Sequence, residues 1–191
     1  MEIHFGQNLQ MDKYYITADE LLLSSFLLAK KIYESGFNPD FIIGVWRGGA
    51  PVGIAVQEYL DYVGIQTDHI AIRTSSYSGI NKQDKQVRVH GLDYIIDNID
   101  SDNRVLIVDD VFDSGRSILA IFDRLQASCR RNMPTEMRVA TPWYKPSHNV
   151  TDNEPDYYVH TTEDWLVFPH ELSGLTMDEI LENKPKIAAA F

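Results

Sequence analysis

The sequence predicts an α/β fold built on a central, mostly parallel and twisted β-sheet flanked by helices. Short apolar runs typical of buried strands alternate with longer segments that carry helical periodicity. Connections of this length imply right-handed crossovers between parallel strands. The chain of 191 residues, 44% of them hydrophobic, can bury one full core and is short for two domains. We therefore expect one domain over 1–191 with a small appendage.

The composition disfavours several classes of partner and predicts a cytoplasmic protein. The formal net charge of -11 disfavours binding to nucleic acid or to an anionic membrane, because both carry negative charge. Residues 1–10 lack a basic segment and an apolar core, and no window has the roughly 20 apolar residues that span a bilayer. Cys129 is the single cysteine, which excludes an internal disulfide and a cysteine metal cage.

The first predicted elements are a long helix and a buried strand. Thr17 and Glu20 have the spacing of a capping box, and the apolar periodicity that follows predicts a helix ending around Gly36. Pro39 prevents its continuation. The apolar run 41–45 then predicts the first central strand.

A glycine-rich junction follows this strand. Arg47, Gly48 and Gly49 precede Pro51, which suits the first turn of a helix that runs to about Val63. The paired glycines remove the side chains that would keep an anion from the backbone, so a phosphate group can be accommodated there. A glycine-rich turn with Arg47 on the surface is the simpler interpretation of this segment taken alone.

The next region combines a strand with a long polar segment. Alternation of Ile70 and Ile72 predicts a strand over 68–73. The polar residues 74–86 predict a long loop, either a lid over a site or the tip of a hairpin. Further along, Val87–Val89 and Leu92–Ile96 fit a hairpin arm or a strand with a short helix.

The strongest functional pattern lies at 105–117. Val105–Val108 reads as a buried strand, and Asp109 and Asp110 follow at its carboxyl end, where open α/β sheets place their ligands. Residues 113–117 form a polar turn into a helix that ends at about Ser128, and successive N–H groups at a helix start bind anions. Paired carboxylates beside a phosphate cradle fit a ligand with hydroxyls, a cation and a phosphate, such as a sugar phosphate with magnesium.

Other interpretations of this stretch are weaker. A calcium loop needs alternating acidic positions and a Glu at the twelfth, but Val111 breaks the alternation and the twelfth residue is Ala120. A Walker loop needs a glycine followed by lysine, and the chain has none. The remaining alternative is a turn in which Asp113 or Ser114 only caps the helix.

Strands and a terminal helix complete the predicted fold. The segments 137–141 and 156–159 predict strands, and Thr176 and Glu179 have the spacing of a second capping box. Lys145 lies just past the first of these strands, on the side of the sheet where Asp109 and Arg47 also lie. Its ammonium can donate to a carbonyl oxygen of a bound base, which favours an oxo group over an exocyclic amine.

The stretch 109–117 resembles the phosphoribosyl pyrophosphate (PRPP) motif of type I phosphoribosyltransferases, including the acidic pair, the third Asp and the hydroxyl-Gly-x-hydroxyl turn. The resemblance implies the type I phosphoribosyltransferase fold, with a core at about 37–145 and a small hood from the N-terminal segment and about 146–191. It also implies that Asp109 and Asp110 bind the ribose hydroxyls. It implies that the 5′-phosphate is bound by the turn residues Asp113, Ser114, Gly115, Arg116 and Ser117. The catalytic role, acceptance of a proton from purine N7, falls to Asp113.

The resemblance spans roughly 37–171 and is closest to the 6-oxopurine phosphoribosyltransferases, which use xanthine, guanine or hypoxanthine. On the pyrophosphate side it implies roles for Arg47, Gly48 and Arg73. Ser76 and Tyr77 resemble the Ser-Tyr pair of a mobile catalytic loop that closes over the reaction centre.

The resemblance also assigns the base pocket and the metal. Lys145 would contact purine O6, Trp165 would stack on the ring, and Leu166 would offer main-chain groups. Glu171 matches the metal-side carboxylate, so Mg²⁺ would be held by Glu171, Asp109 and Asp110. The chain departs from the family pattern in three ways: Asp109 stands where Glu is common, serines 114 and 117 replace threonines, and no Arg follows Glu171.

The implied reaction displaces pyrophosphate from PRPP by a purine nitrogen, through a cation-like ribosyl state. The implied partners are PRPP and a 6-oxopurine base, and the expected assembly is a homodimer or homotetramer. Two alternatives stay open. One is a PRPP-sensing regulator that keeps the fold without catalysis, and the other is a phosphoribosyltransferase for another base.

Overall fold

The computed structural model of the chain describes residues 13–78 and 85–191. Its helices are α1 (Ala18–Glu34), α2 (Gly49–Tyr62), α3 (Asp93–Asn98), α4 (Arg116–Cys129), α5 (Met177–Asn183) and α6 (Pro185–Ala188). Its strands are β1 (Lys13–Tyr15), β2 (Phe41–Trp46), β3 (Asp68–Ser78), β4 (Lys85–His90), β5 (Arg104–Val108), β6 (Val111–Phe112), β7 (Glu136–Tyr144), β8 (Tyr157–Thr161) and β9 (Trp165–Val167). Short 3₁₀ turns lie at Arg130–Asn132 and Pro146–His148.

The central sheet is the mostly parallel sheet that the sequence predicts. Its strands run in the order β4-β3-β2-β5-β7, with β6 and β8 both paired to β7. All of these pairs are parallel except β3 with β4. The crossovers through α2 and α4 carry the chain between parallel strands, as the βαβ rule requires. The predicted α/β class is therefore confirmed.

The core explains why the apolar runs form these strands. Ile43 of β2 and Ile107 of β5 are fully buried, and they pack in one cluster with Ile121 and Leu125 from α4. A side chain of this size contributes about 1.5–3 kcal/mol when it is buried. Val45, near the carboxyl end of β2, belongs to the same cluster, so the core anchors the strand end from which the next loop leaves.

The observed elements match most of the predicted ones within one or two residues at their ends. The second capping box is present, because Thr176 Oγ1 accepts from Glu179 N–H at 3.2 Å and Glu179 Oε2 accepts from Thr176 N–H at 2.7 Å. Of the two alternatives for 87–96, the structure has a strand, β4, followed by the short helix α3.

The predicted loop over 74–86 is wrong in its extent. Residues 74–78 continue β3, and they pair antiparallel with residues 85–89 of β4. Ser76 and Tyr77 thus have backbones within a strand, opposite Val87 and Gln86. Polar β-formers such as Thr74 and Tyr77 adopt a strand once a partner lies alongside, and local sequence does not reveal that partner. Residues 79–84 lie outside the described part of the chain.

The chain divides into a larger unit, Asp19–Glu163, and a smaller unit made of Met1–Ala18 and Asp164–Phe191. The larger unit holds the central sheet. In the described part of the smaller unit, β1 pairs in parallel with β9, and α5 and α6 follow. The hood was expected to resume at about 146, but 146–163 belong to the larger unit because β8 extends the sheet beside β7.

Among the described residues, no helix combines the length and the apolar character needed to cross a membrane.

Candidate active site

The acidic pair, Asp109 and Asp110, lies between β5 and β6. Both β5 and β6 pair with β7 in a single register, with Val108 opposite Ala140 and Val111 opposite Trp143. Between them, Asp109 N–H donates to the Ala140 carbonyl at 3.2 Å, and the Asp110 carbonyl accepts from Trp143 N–H at 3.4 Å. The backbone of the pair is therefore fixed by the neighbouring strand.

The glycine junction after β2 lies directly against this acidic pair. A Cβ on Gly48 would fall 1.6 Å from Asp110 Oδ2, and one on Gly49 would fall 2.5 Å from the Val108 carbonyl oxygen. No larger residue fits at either position without movement of the neighbour. Two strand ends, sixty residues apart in sequence, thus meet in a single site.

Burial makes Asp109 difficult to ionise. Its pKa is raised well above the usual value, first by burial and then by the charge of Asp110, while hydrogen bonds from the backbone N–H groups of Asp110 and Gly49 act the other way. One of these bonds, from Asp110 N–H to Asp109 Oδ1, is 2.9 Å long. A ligand that brings hydroxyl donors or a cation offsets this cost, because both favour the ionised carboxylate.

Both arginines predicted to face the pyrophosphate lie at the carboxyl edge of the sheet, where its parallel strands end. Arg47 is exposed and follows a cis peptide bond after Trp46. Arg73 of β3 is exposed too, and its Cα is paired with that of Trp46. Because β2 and β3 are parallel, the two guanidinium side chains start from neighbouring positions at the carboxyl end of the sheet. This edge also carries the acidic pair.

The predicted phosphate turn leads into α4 through a left-handed glycine. Gly115 has φ +74°, a conformation that costs other residues about 1–2 kcal/mol. The first N–H groups of a helix have no intrahelical acceptor, so those that follow Gly115 are available to an anion. Within this turn Ser114 and Ser117 are half-buried, and Arg116 is exposed.

Residues 149–151 pack against this turn and hold its backbone. Val150 N–H donates to the Ser114 carbonyl at 3.2 Å, and Thr151 Oγ1 would lie 2.4 Å from a Cβ on Gly115. Thr151 is itself held by Asn149, whose Oδ1 accepts from the Thr151 hydroxyl at 2.8 Å. The glycine is thus required by close approach as well as by its φ.

Asp113 is surrounded by two basic side chains. Lys145 is only 7% exposed, and its Nζ lies 3.8 Å from Asp113 Oδ2. Its backbone N–H donates to the Phe112 carbonyl at 2.9 Å, which fixes Lys145 beside β6. The imidazole of His148 reaches the other oxygen of Asp113, with Nδ1 at 2.9 Å from Oδ1. Asp113 itself is about half exposed, so a ligand can reach it.

The remaining predicted site residues belong to the smaller unit. Trp165 on β9 is 52% exposed, whereas Leu166 is buried. Lys184 Nζ donates to three carbonyls that precede or include Glu171: those of Phe168 at 2.5 Å, Pro169 at 3.3 Å and Glu171 at 2.8 Å. Burial lowers the pKa of Lys184, and the charge of Glu171 opposes this effect. The buried ammonium thus orders the segment that carries Glu171.

Within the described ranges, no group of three or more His, Cys, Asp or Glu side chains is arranged to hold a metal ion. Asp109 and Asp110 nevertheless provide the oxygen ligands that Mg²⁺ prefers. This ion is typically bound through one or two carboxylates, with substrate phosphates and water as the remaining ligands. The acidic pair fits that pattern.

Sequence reasoning missed His148 and Lys184, which contact predicted site residues, and Glu163, which lies 3.7 Å from His148. His148, Glu163 and Lys184 carry no motif, and each acts on residues distant in sequence. The only available signal was the position of His148, three residues past Lys145 and thus close to the predicted carboxyl edge of the sheet.

The comparison with known proteins defines the class of the chain. The phosphoribosyl transferase domain family matches residues 20–179, so the chain belongs to the phosphoribosyltransferase family. A purine phosphoribosyltransferase from Pyrococcus horikoshii is 30% identical, with 87% of this chain and 98% of that one covered, at a TM-score of 0.66. The predicted resemblance to type I phosphoribosyltransferases is confirmed, and the activity class is that of a transferase.

Two further solved structures share the fold. Helicobacter pylori xanthine-guanine-hypoxanthine phosphoribosyltransferase has 18% identity and a TM-score of 0.67, with 94% of this chain and 100% of that one covered. A hypothetical protein from Neisseria gonorrhoeae with bound ppGpp has 20% identity and a TM-score of 0.73, with 95% and 98% covered. No curated protein sequence matches the chain significantly.

Proposed function

We propose that the protein transfers the 5-phosphoribosyl group of PRPP to hypoxanthine, guanine or xanthine, giving the nucleoside monophosphate and pyrophosphate. The observation that carries this proposal is the pairing of Lys145 with Asp113, 3.8 Å apart. A 6-oxopurine presents O6 and N7 on one edge. The Lys145 ammonium can donate to O6 while the Asp113 carboxylate accepts from N7–H. An exocyclic amine at position 6 would face a donor with another donor.

The roles of the other residues follow from their places in the larger unit. The phosphate turn holds the 5′-phosphate, and the acidic pair accepts hydrogen bonds from the ribose hydroxyls. The exposed guanidinium groups of Arg47 and Arg73, with the backbone at Gly48, face the pyrophosphate. Negative charge at Asp109 and Asp110 also stabilises the cation-like ribosyl group as the leaving group departs.

The proposed reaction needs no reactant other than PRPP and the base. The bond from the anomeric carbon to pyrophosphate breaks, and a new bond forms from that carbon to purine N9. The N7 proton passes to Asp113 Oδ2, the oxygen that His148 does not contact. Trp165, exposed on β9, is proposed to stack on the purine, and Leu166 to contact its edge through main-chain groups.

A magnesium ion is proposed to accompany the pyrophosphate, with Asp109 and Asp110 as its ligands. Glu171 is proposed as a further ligand only because it matches the metal-side carboxylate of the resembling family. Bound Mg²⁺ would neutralise charge on the leaving group. The backbone of the acidic pair is held by hydrogen bonds to β7, and the segment that carries Glu171 is held by Lys184.

A base panel tests the substrate class. Radiolabelled PRPP is mixed in turn with hypoxanthine, guanine, xanthine, adenine, uracil and orotate, and nucleotide is separated from PRPP. We expect product with one or more of the first three bases. Product with adenine, uracil or orotate alone would contradict the proposal. Lys145→Gln should raise the KM for the oxopurine about 10- to 100-fold, the cost of one charged hydrogen bond, while the KM for PRPP stays within about twofold.

The base role of Asp113 has its own test. Asp113→Asn should lower kcat far more than PRPP affinity, since the amide cannot take the proton. Asp110→Ala should weaken PRPP binding as well, because it removes a ribose contact. Equal loss of PRPP affinity in both variants, with kcat intact in Asp113→Asn, would remove Asp113 from the chemistry.

A second candidate function is ligand binding without catalysis, as in a PRPP-sensing regulator. The observation that supports it is the solved structure from Neisseria gonorrhoeae, a protein of the same fold that contains bound ppGpp. Calorimetry with PRPP and Mg²⁺, run beside the base panel, separates the two. Heat of binding with no nucleotide from any base would favour the regulator.

Three further features belong to the proposal. The hairpin arm with Ser76 and Tyr77 would close over bound PRPP, the protein would act in the cytoplasm, and it would assemble as a homodimer or homotetramer. Protection of the 74–86 region from proteolysis on adding PRPP would test the first, and sedimentation would test the assembly.

A further inference from the structure

A short turn after β7 delivers two side chains to the same carboxylate. Lys145 directly follows β7, and His148 lies on the 3₁₀ turn Pro146–His148 that comes next. The turn is closed by His148 N–H, which donates to the Lys145 carbonyl at 3.2 Å. Lys145 and His148 then approach different oxygens of Asp113, Oδ2 and Oδ1 respectively.

Hydrogen-bond chemistry fixes the orientation of the imidazole. Asp113 is acceptor-only when ionised, so the 2.9 Å contact from Nδ1 requires the proton to be on Nδ1. The opposite ring nitrogen, Nε2, lies 3.7 Å from Glu163 Oε2, which is too long for a direct hydrogen bond. The contact with Asp113 is therefore the one that holds the ring.

Glu163 is itself fixed by the same turn. Ser147 donates to it twice, from its backbone N–H to Oε1 at 3.3 Å and from its hydroxyl to Oε2. These bonds lower the pKa of Glu163, with a smaller contribution from the charges of His148 and Lys145. A carboxylate thus faces the far side of the imidazole, at a distance that leaves Asp113 as the hydrogen-bond partner of the ring.

We propose that His148 is a positioning residue, which holds one oxygen of Asp113 and leaves the other free to accept the purine proton. The inference rests on the proposed function. A half-exposed Asp side chain has a broad, roughly two-fold preference about its last torsion, so its carboxylate plane is poorly defined when no partner holds it. With Oδ1 bound by Nδ1–H, the plane is defined. Oδ2 then lies on the Lys145 side, where the O6 and N7 edge of the base is proposed to bind.

Two amide variants separate the nitrogens of the ring. In His148→Asn the side-chain NH₂ replaces Nδ1–H, whereas in His148→Gln it lies nearer the place of Nε2. Positioning through Nδ1 predicts that His148→Ala and His148→Gln lose about tenfold or more in kcat, while His148→Asn stays within about threefold of wild type. The KM for PRPP should change less than twofold in all three, because the ribose and phosphate contacts are untouched. Loss of stability alone would not produce this ranking.

A second readout does not depend on activity. In protein labelled with ¹⁵N-histidine, the Nδ1 resonance of His148, assigned by its loss in His148→Gln, should carry a hydrogen-bonded proton that Asp113→Ala removes. An unchanged Nδ1 resonance in Asp113→Ala, or full kcat in His148→Ala, would overturn the inference. Absence of nucleotide from every base would overturn the proposed function, and the labelled histidine would still report whether the contact exists.

Discussion

The two strand-to-helix junctions of the larger unit both need glycine, but for different reasons. The junction β2 to α2 carries Gly48 and Gly49, and the junction β5 to α4 carries Gly115. Gly48 has φ -69°, which any residue adopts, so its lack of a side chain serves only close approach to Asp110. Gly115 has φ +74° and serves both conformation and close approach to Thr151.

The difference shows which requirement is local and which is tertiary. A left-handed glycine before a helix is a local feature, set by the turn that contains it. The need for glycine at 48 and 49 arises from residues sixty positions later, at the end of a neighbouring strand. Substitutions at the two junctions should therefore fail for different reasons.

Gly49→Ala should be the most damaging change. Its Cβ would lie 2.5 Å from the Val108 carbonyl and 2.8 Å from Asp109 Cα, and backbone atoms of a central strand cannot move aside. We expect destabilisation of about 3 kcal/mol or more, measured by denaturant unfolding, with activity lost. Gly48→Ala is the matched control, because it meets the Asp110 side chain, which can rotate. It should lose activity with no more than about half the stability cost, and equal costs would contradict the distinction.

Gly115→Ala combines two smaller penalties. The left-handed conformation costs about 1–2 kcal/mol for alanine, and the contact with Thr151 adds to it. The KM for PRPP should rise with little change in kcat. Adding Thr151→Ala should recover only the part of the loss that comes from the Thr151 hydroxyl, because Asn149 Oδ1 would still lie 2.9 Å from the new Cβ. Full recovery of stability in the double variant would mean that the glycine is needed for space alone.

Most substitutions of buried residues destabilise a protein, but Asp109→Asn should raise the stability of this one at neutral pH. Because the folded pKa of Asp109 is raised by burial and by Asp110, the ionised form is disfavoured in the folded state. Wild-type stability should fall as pH rises from about 3.9, the unfolded value, through the raised folded pKa. The variant lacks this loss, so its advantage should grow over that window.

The same variant should lose activity, by about 10- to 100-fold in kcat/KM, since a charged hydrogen bond to ribose is gone. Thermal unfolding at pH 4 and pH 7 gives the stability comparison. A variant that is less stable than wild type at pH 7 would contradict the assignment of a buried, costly charge.

Arg47→Gln should have the smallest effect on folding. Its side chain is exposed, and surface changes of this kind usually stay within about 0.5 kcal/mol. The proposed pyrophosphate contact predicts a higher KM for PRPP and weaker product inhibition by pyrophosphate. An unchanged pyrophosphate inhibition constant would remove Arg47 from the site and leave the glycines as the only function of this junction.

The sequence by itself determined the central strands, the helices between them and the second capping box. It also determined the order of the motif from Asp109 to Ser117. These features depend on local periodicity and on residues adjacent in the chain. The family match agrees with the resemblance drawn from that motif.

Only the tertiary structure decided the pairing of 74–78 with β4, the fit of Gly48 against Asp110 and the contact of His148 with Asp113. Each joins residues at least seven positions apart, and the last two join residues 62 and 35 positions apart, so no local pattern encodes them. Strand pairing and close approach depend on which segments lie side by side, and that is settled only when the whole sheet forms around its buried core.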